Sequence, residues 1–391
     1  MNKINTEKKE NIFYIISVFF ILTVDSSFYF VNSTSGTTRI LINLMAAFFL
    51  FLSSKRKFIF KTDFIFILLV VIIIPLISGI IIQNAKQTTI ICIAILIGGL
   101  VSQTIGLDEF EKYYNRIILF LSVYSLVILI IYILFPNLIR LLPIIEKDTP
   151  FNNFNCIFAI VADDPYVLRN YGYFWEPGAF SVFLSIALYI ELYKQKTRII
   201  YLIIYSITIL TTLSTLGITC MILLYMTYIV ANNRIANKKI RSLLLIFLGC
   251  FAIYLLIDGE RIIFHVLGKL IYRTNNKLNS STAVRLNAII YPVQAFLKSP
   301  FVGIGYNNFL RLQDDKCSGM ATFTHINWLC IYGVFGGLSL IIGCIRFFCI
   351  KKANILVNFA LFIFSILLFS TENFVQITLT YILVFYGLLK E

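Results

Sequence analysis

The sequence predicts an all-α, polytopic integral membrane protein of about twelve transmembrane helices with two long extracytoplasmic loops, on three observations. Of 391 residues, 59% are hydrophobic and only 13% charged, and the mean hydropathy is +0.88, far outside the range of a soluble globular domain. Apolar runs near the twenty residues that span a bilayer alternate with polar breaks. Lysine and arginine crowd into every second break, the asymmetry that orients membrane helices.

The first run, residues 12 to 32, follows three lysines in the first ten residues and ends at no small-residue cleavage site, so it reads as a retained span rather than a removable leader. Asp25 lies inside it. A buried acid of this kind suits proton-coupled transport, but Asp25 has no matching acid or base in the middle of another span. Spans follow over 38 to 53, 62 to 83, 88 to 106 and 115 to 135, then the first long loop, 136 to 173. The next spans are 174 to 193, 198 to 214 and 216 to 231, the last two parted by Ser214, Thr215 and Gly217, and then 242 to 258. After the second long loop, 259 to 324, come 325 to 346, 353 to 370 and 373 to 389. Residues 1 to 391 form one membrane domain.

With both termini cytoplasmic, the inner breaks collect clusters such as Lys55, Arg56, Lys57 and Lys61, or Arg234, Lys238, Lys239 and Arg241, while the short outer breaks hold only Arg39 and Lys86. The formal charge of +14 is therefore mostly topology, not a nucleic-acid footprint. Function belongs in the two long loops, which are neither flexible linkers nor repeats.

The organising stretch is Arg169-Asn-Tyr-Gly-Tyr-Phe-Trp-Glu-Pro-Gly178, where a polar loop turns into the apolar run Ala179 to Leu192. Proline suits the first helical position and pushes the residue before it out of the helix, so a helix starts at Pro177 with Glu176 at its cap. A helix N-terminus holds an anion, either the Glu176 carboxylate or a phosphate, and Arg169 is near enough in sequence to fork onto either. The plainer alternative is a capped membrane helix whose glutamate pairs with a nearby arginine.

In the second loop, Leu286, Ile289, Ile290, Val293, Phe296 and Leu297 follow helical spacing, which predicts an amphipathic surface helix kinked or interrupted at Pro292. Pro300-Phe-Val-Gly303-Ile-Gly305 after it reads as a tight turn or, less simply, a ligand cradle. Of eight cysteines, Cys156 and Cys317 fall one in each loop, a pair that an oxidising compartment would allow to join. The outer face gathers Arg140, Arg169, Arg273, Arg285 and Arg311 with Glu176, His325 and Glu372. Two arginines, one from each loop, can clamp a pyrophosphate, or they simply meet lipid headgroups. His325, at the head of the tenth span, can accept a proton from a hydroxyl or merely contact the interface. Asp163-Asp164 and Asp314-Asp315 lack a histidine or cysteine at ligand spacing, so no metal site is expected. No phosphate-binding loop, dinucleotide fingerprint or nucleophile elbow occurs, so no cofactor is expected.

Arg169-x-x-Gly172-x-x-x-Glu176-Pro177-Gly178 resembles the motif at the head of a central helix in O-antigen polymerases of the Wzy type. Arg285, the amphipathic segment, Pro300-Phe-Val-Gly303-Ile-Gly305 and His325-x-Asn327 with Gly333 and Gly336 are similar to the second loop and following helix that these polymerases share with O-antigen ligases. The succession covers residues 165 to 340. It departs from the pattern at Ile326, inserted between His325 and Asn327.

The resemblance implies a GT-C-like membrane glycosyltransferase of lipopolysaccharide biosynthesis in the bacterial inner membrane, its site facing the periplasm. It would move a growing glycan from undecaprenyl pyrophosphate to the non-reducing end of another lipid-linked repeat unit, without a metal. Its partners would be the lipid-linked donor and acceptor oligosaccharides, membrane lipids and a chain-length regulator. Arg169 and Arg285 would hold the pyrophosphate and Glu176 or His325 would take the acceptor's proton. Gly172, Pro177, Gly178, Gly303, Gly305, Asn327 and Arg273 would support them. The rivals are a ligase that moves finished glycan onto lipid A core, and a flippase or transporter. The latter calls for polar or broken helices at mid-membrane, whereas these spans are mostly plain Ile, Leu and Phe.

Overall fold

A computed structural model of the chain describes residues 12–33, 35–53, 65, 68, 71–73, 85–145, 151–164, 167–193, 197–231, 273–274, 277–278, 280–317, 321–351, 353–370 and 372–389. Over these it is mostly helical. Two helices, Leu107–Leu134 and Thr324–Phe348, are long and apolar enough to cross a membrane, and several shorter apolar helices accompany them. The spans expected over 62 to 83 and 242 to 258 lie mostly or wholly outside the described residues.

In chain order the helices are α1 (Ile12–Thr23), α2 (Phe28–Ser33), α3 (Gly36–Ser53), α4 (Ala85–Thr104), α5 (Leu107–Leu134), α6 (Pro136–Arg140) and α7 (Pro177–Tyr193). After them come α8 (Ile199–Thr212), α9 (Thr215–Ala231), α10 (Ser280–Lys298), α11 (Gly305–Lys316), α12 (Thr324–Phe348), α13 (Ile355–Leu368) and α14 (Thr378–Leu388). Every residue from Ala179 to Leu192 is buried, as expected for a helix that is apolar on all faces. Helices α5, α8 and α9 pack round it, while α14 lies between α12 and α4. Phe13, Phe48, Ile133, Phe335 and Phe359 are more than half exposed around the outside, the surface that a lipid-facing bundle presents.

The first long loop docks on the end of α5. Its hairpin pairs β1 (Asn153–Asn155) antiparallel to β2 (Ile160–Ala162), and Ile139, Phe154, Cys156 and Val161 form a small apolar cluster against Tyr124 and Ile128. Arg140 forks onto Asp163 through Nη2 at 3.0 Å and Nε at 3.2 Å, and the Tyr132 hydroxyl donates to the same carboxylate at 2.5 Å. Bonds from Arg140 first, and Tyr132 second, hold the Asp163 carboxyl below its usual value. A second, two-residue hairpin pairs β3 (Arg273–Thr274) with β4 (Lys277–Leu278).

At the other end of α7, the wholly buried Glu191 accepts from Arg198 through Nη2 at 2.7 Å, Nε at 3.0 Å and backbone N at 2.6 Å, and from Asn115 Nδ2 at 3.1 Å. Four donors satisfy a charge that would otherwise be costly to bury. They tie the end of α7 to Arg198 at the head of α8 and to Asn115 of α5.

The structure corrects the sequence reading at several points. The first span is not one helix: α1 stops at Thr23 and α2 starts at Phe28. Ser26 folds its hydroxyl back on the Leu22 carbonyl at 2.5 Å, and the broken backbone finds new partners, with Phe28 N donating to Tyr173 O at 2.9 Å and Trp175 N to Ser26 O at 3.2 Å. The last span loses its first turn, because Phe374 N bonds the Thr324 hydroxyl at 2.9 Å and helix α14 begins only at Thr378. Helix α10 is not interrupted at Pro292, and it packs against α12. Helix α11 was not expected. Cys156 and Cys317 are not joined: their thiols turn to the carbonyls of Phe154 and Asn287 respectively, and burial pushes Cys156 up to about 11.

The Gly303 to Gly305 stretch is a packing device rather than a cradle. Gly303 has φ +76, and a Cβ there would sit 2.4 Å from the Ile331 carbonyl; Gly333, at φ +64 inside α12, would meet Phe301 O at 2.2 Å. Two left-handed glycines let the loop cross α12 backbone to backbone, with Val334 N donating to Pro300 O at 2.7 Å and Ile304 N to Cys330 O at 2.8 Å.

Candidate functional site

The loop before α7 and the break in the first span form one wall. Ser27 and Phe174 bridge in antiparallel fashion, which sets Asp25 on the same wall as Trp175 and Glu176. Helix α7 starts at Pro177 as its sequence dictates, and Phe180 N donates to Glu176 O at 3.1 Å. The carboxylate beside its first turn is Glu372: a Cβ on Gly178 would lie 2.8 Å from Glu372 Oε1. Glycine thus leaves room for an acid from the segment before α14 to approach the positive end of α7. Thr324 ties that segment down, donating its hydroxyl to Glu372 O at 2.9 Å.

Between these elements lies a cavity of about 320 Å³. Asp25, Glu176 and Glu372 present carboxylates to it, and Arg39, from the first turn of α3, a guanidinium. Gln313, Asn373 and Gln376 add amides, and Trp175 and Tyr306 add rings. Arg39 Nε is buried without a hydrogen-bond partner among the described residues. Asp25 is held by three donors: its Oδ2 accepts from Thr378 Oγ1 at 2.5 Å, Asn43 Nδ2 at 2.7 Å and Thr378 N at 3.4 Å. Burial pushes the Tyr306 phenol well above its usual range, so it meets a ligand as a neutral hydroxyl. Among the described residues no three His, Cys, Asp or Glu gather closely enough to hold a metal ion. Spread carboxylates, amides and aromatic faces instead suit a ligand rich in hydroxyls.

The residues expected from sequence divide. Glu176 faces the cavity, while Pro177 and Gly178 form the first turn of α7 behind it. Gly172 turns the loop at φ +54, where a Cβ would strike the Phe180 ring at 2.5 Å. Arg169 does not line the cavity. Its Nε donates to Thr212 O at 3.1 Å, beside the left-handed Leu213 that ends α8, a common way to satisfy a helix C-terminus. His325 is only 6% exposed, wedged edge-on between Trp328 and Phe369, both 5.6 Å away. Neither ring nitrogen has a partner among the described residues, and His325 does not line the cavity. Asn327 donates Nδ2 to Ala321 O at 2.8 Å, bracing the entry to α12. Arg285 falls within α10 and Arg273 in β3; their side chains lie outside the described residues.

Sequence reasoning passed over Arg39 and gave Asp25 little weight. The signals were there: Arg39 is one of two basic residues in the short outer breaks, and Asp25 is an acid within an apolar run. Comparison of the chain with protein-family models, curated proteins and solved structures finds no match.

Proposed function

We propose that the chain is a polysaccharide polymerase of the O-antigen type, a metal-independent, lipid-carrier-dependent glycosyltransferase of the bacterial inner membrane. In this reading it has about twelve spans, both termini in the cytoplasm, and its cavity open to the periplasm. It moves a growing glycan from undecaprenyl pyrophosphate to the non-reducing end of a second lipid-linked repeat unit.

The observation that carries the reading is the cavity, where Glu176 of the resemblance meets Arg39, three amides and two aromatic residues. A diphosphate leaving group needs a cation as its bond to the sugar breaks, and Arg39, which lines the cavity, brings a guanidinium. Arg285 keeps the second place that the resemblance gives it. Arg169, its Nε bonded to Thr212, holds the loop that carries Glu176. The proton of the acceptor hydroxyl passes to a carboxylate of the cavity, and of the two acceptors that the resemblance offers, Glu176 is the one facing it.

Deletion of the gene, followed by electrophoresis of the surface polysaccharide, tests this. The expected result is a ladder collapsed to single repeat units and restored by the gene in trans. Bare core with lipid-linked polymer accumulating would instead make the chain a ligase, units trapped inside the cell a flippase, and an unchanged ladder neither.

A further inference from the structure

Asp25 is an acid of the cavity that this function has not yet used, and the structure holds it firmly. It sits where the first span breaks. Three donors converge on its Oδ2, from the side chain of Asn43 and from the hydroxyl and backbone N of Thr378, so the carboxylate cannot turn without losing them. Oδ1 accepts nothing from the described residues, and Asp25 lines the cavity.

Asn43 lies four residues after Arg39 on α3, so one face of one helix carries both the anchor of Asp25 and the guanidinium beside it. Glu176, half-buried, takes no hydrogen bond on its carboxylate from the described residues. Groups that act in a transition state gain from being fixed beforehand, and misplacement by about 1 Å can cost about 10²-fold.

We infer that Asp25 is the general base of the transfer, an inference that rests on the function proposed above. The acceptor hydroxyl gives its proton to Asp25 Oδ1 as its oxygen forms a bond to the anomeric carbon of the donor glycan. The bond from that carbon to the diphosphate breaks, its electron pair leaves on the diphosphate oxygen facing Arg39, and Asp25 then releases the proton to water. The co-reactants are the lipid-linked donor and the lipid-linked acceptor, and nothing is oxidised or reduced. Glu176 is a positioning residue that holds sugar hydroxyls.

The test uses the purified full chain in liposomes with lipid-linked repeat units extracted from cells lacking the gene, at a range of pH. Asp25→Asn should lower kcat by about 100-fold or more, as loss of a general base does, with KM within about threefold of the wild type, and should abolish the acidic limb of the pH profile. Asp25→Gly should recover about tenfold in kcat with added formate, which puts a carboxylate back. Glu176→Gln should act mainly on KM. Thr378→Val, which keeps the shape and removes one anchor, should lower kcat about tenfold and decides the matter if the Asp25 variants fail to fold.

Asp25→Asn turning over within fivefold of the wild type with its acidic limb intact overturns the inference, as does a loss confined to KM. So does formate-insensitive Asp25→Gly in folded protein, or Thr378→Val at the wild-type rate. In each of these cases the wild type still makes polymer, so the function itself stands. A wild type that elongates no lipid-linked unit removes both.

Discussion

Replacing Arg39 by methionine separates function from stability, because the structure sets two stability effects against each other. Methionine keeps most of the apolar stem and removes an Nε that is buried without a partner. An unmade buried hydrogen bond costs about 1–3 kcal/mol, so its removal favours the ligand-free protein. Against this, Asp25 loses a charge that acts on it from a distance. That attraction is below about 4 kcal/mol even at contact with an effective dielectric near 20, and Asp25 keeps its three donors. The effects largely cancel, and stability should stay within about 1 kcal/mol, on the order of a degree or two in melting temperature. Activity has no such compensation. Loss of an electrostatic donor at a developing charge costs about 10²–10³ in kcat. Melting followed by tryptophan fluorescence in detergent, and undecaprenyl pyrophosphate release in liposomes, give the two numbers. Activity within threefold of the wild type, or a loss matched by early melting, would refute the reasoning.

The other predictions concern the scaffold. Gly178→Ala drives a Cβ to 2.8 Å from Glu372 Oε1; the flexible acid can yield, so turnover should fall about tenfold by misplacement within the site, and Glu372→Ala should relieve it, both read as polymer length on gels. Arg198→Ala leaves the wholly buried Glu191 with Asn115 and a backbone N–H only, which should destabilise by about 3 kcal/mol. Adding Glu191→Gln should recover part of that in chemical denaturation. The Asp163 carboxyl is held below its usual value by Arg140 and Tyr132, so its stabilisation of the first loop is complete above about pH 4 and fades as pH falls through the depressed folded value. Limited proteolysis of that loop should accelerate at acid pH in the wild type, and Asp163→Asn should be cleaved faster at neutral pH with less dependence on pH.

Local rules carried the sequence reading a long way. Pro177 starts its helix where proline chemistry puts it. The thin break at Ser214 is a real turn, made by Leu213 at φ 50. The failures lie where distant residues compete with local preference. Nothing around Val24 to Ser27 forbids a helix, but Asp25 finds Thr378, 353 residues away, and the opened backbone finds the loop before Glu176. Another remote contact, Phe374 N to the Thr324 hydroxyl, delays α14. Arg39 was legible as an oddity of charge but not as part of the site, since its neighbours Glu176 and Glu372 come from remote parts of the chain. Arg169 fits an anion clamp by spacing, yet the nearer need is the open C-terminus of α8.

The most direct measurement is a structure of the purified chain with a lipid-linked repeat unit bound. The account predicts sugar density between Asp25, Trp175 and Glu176 and the diphosphate against Arg39. A bound unit that leaves this cavity empty, its diphosphate elsewhere, would contradict it.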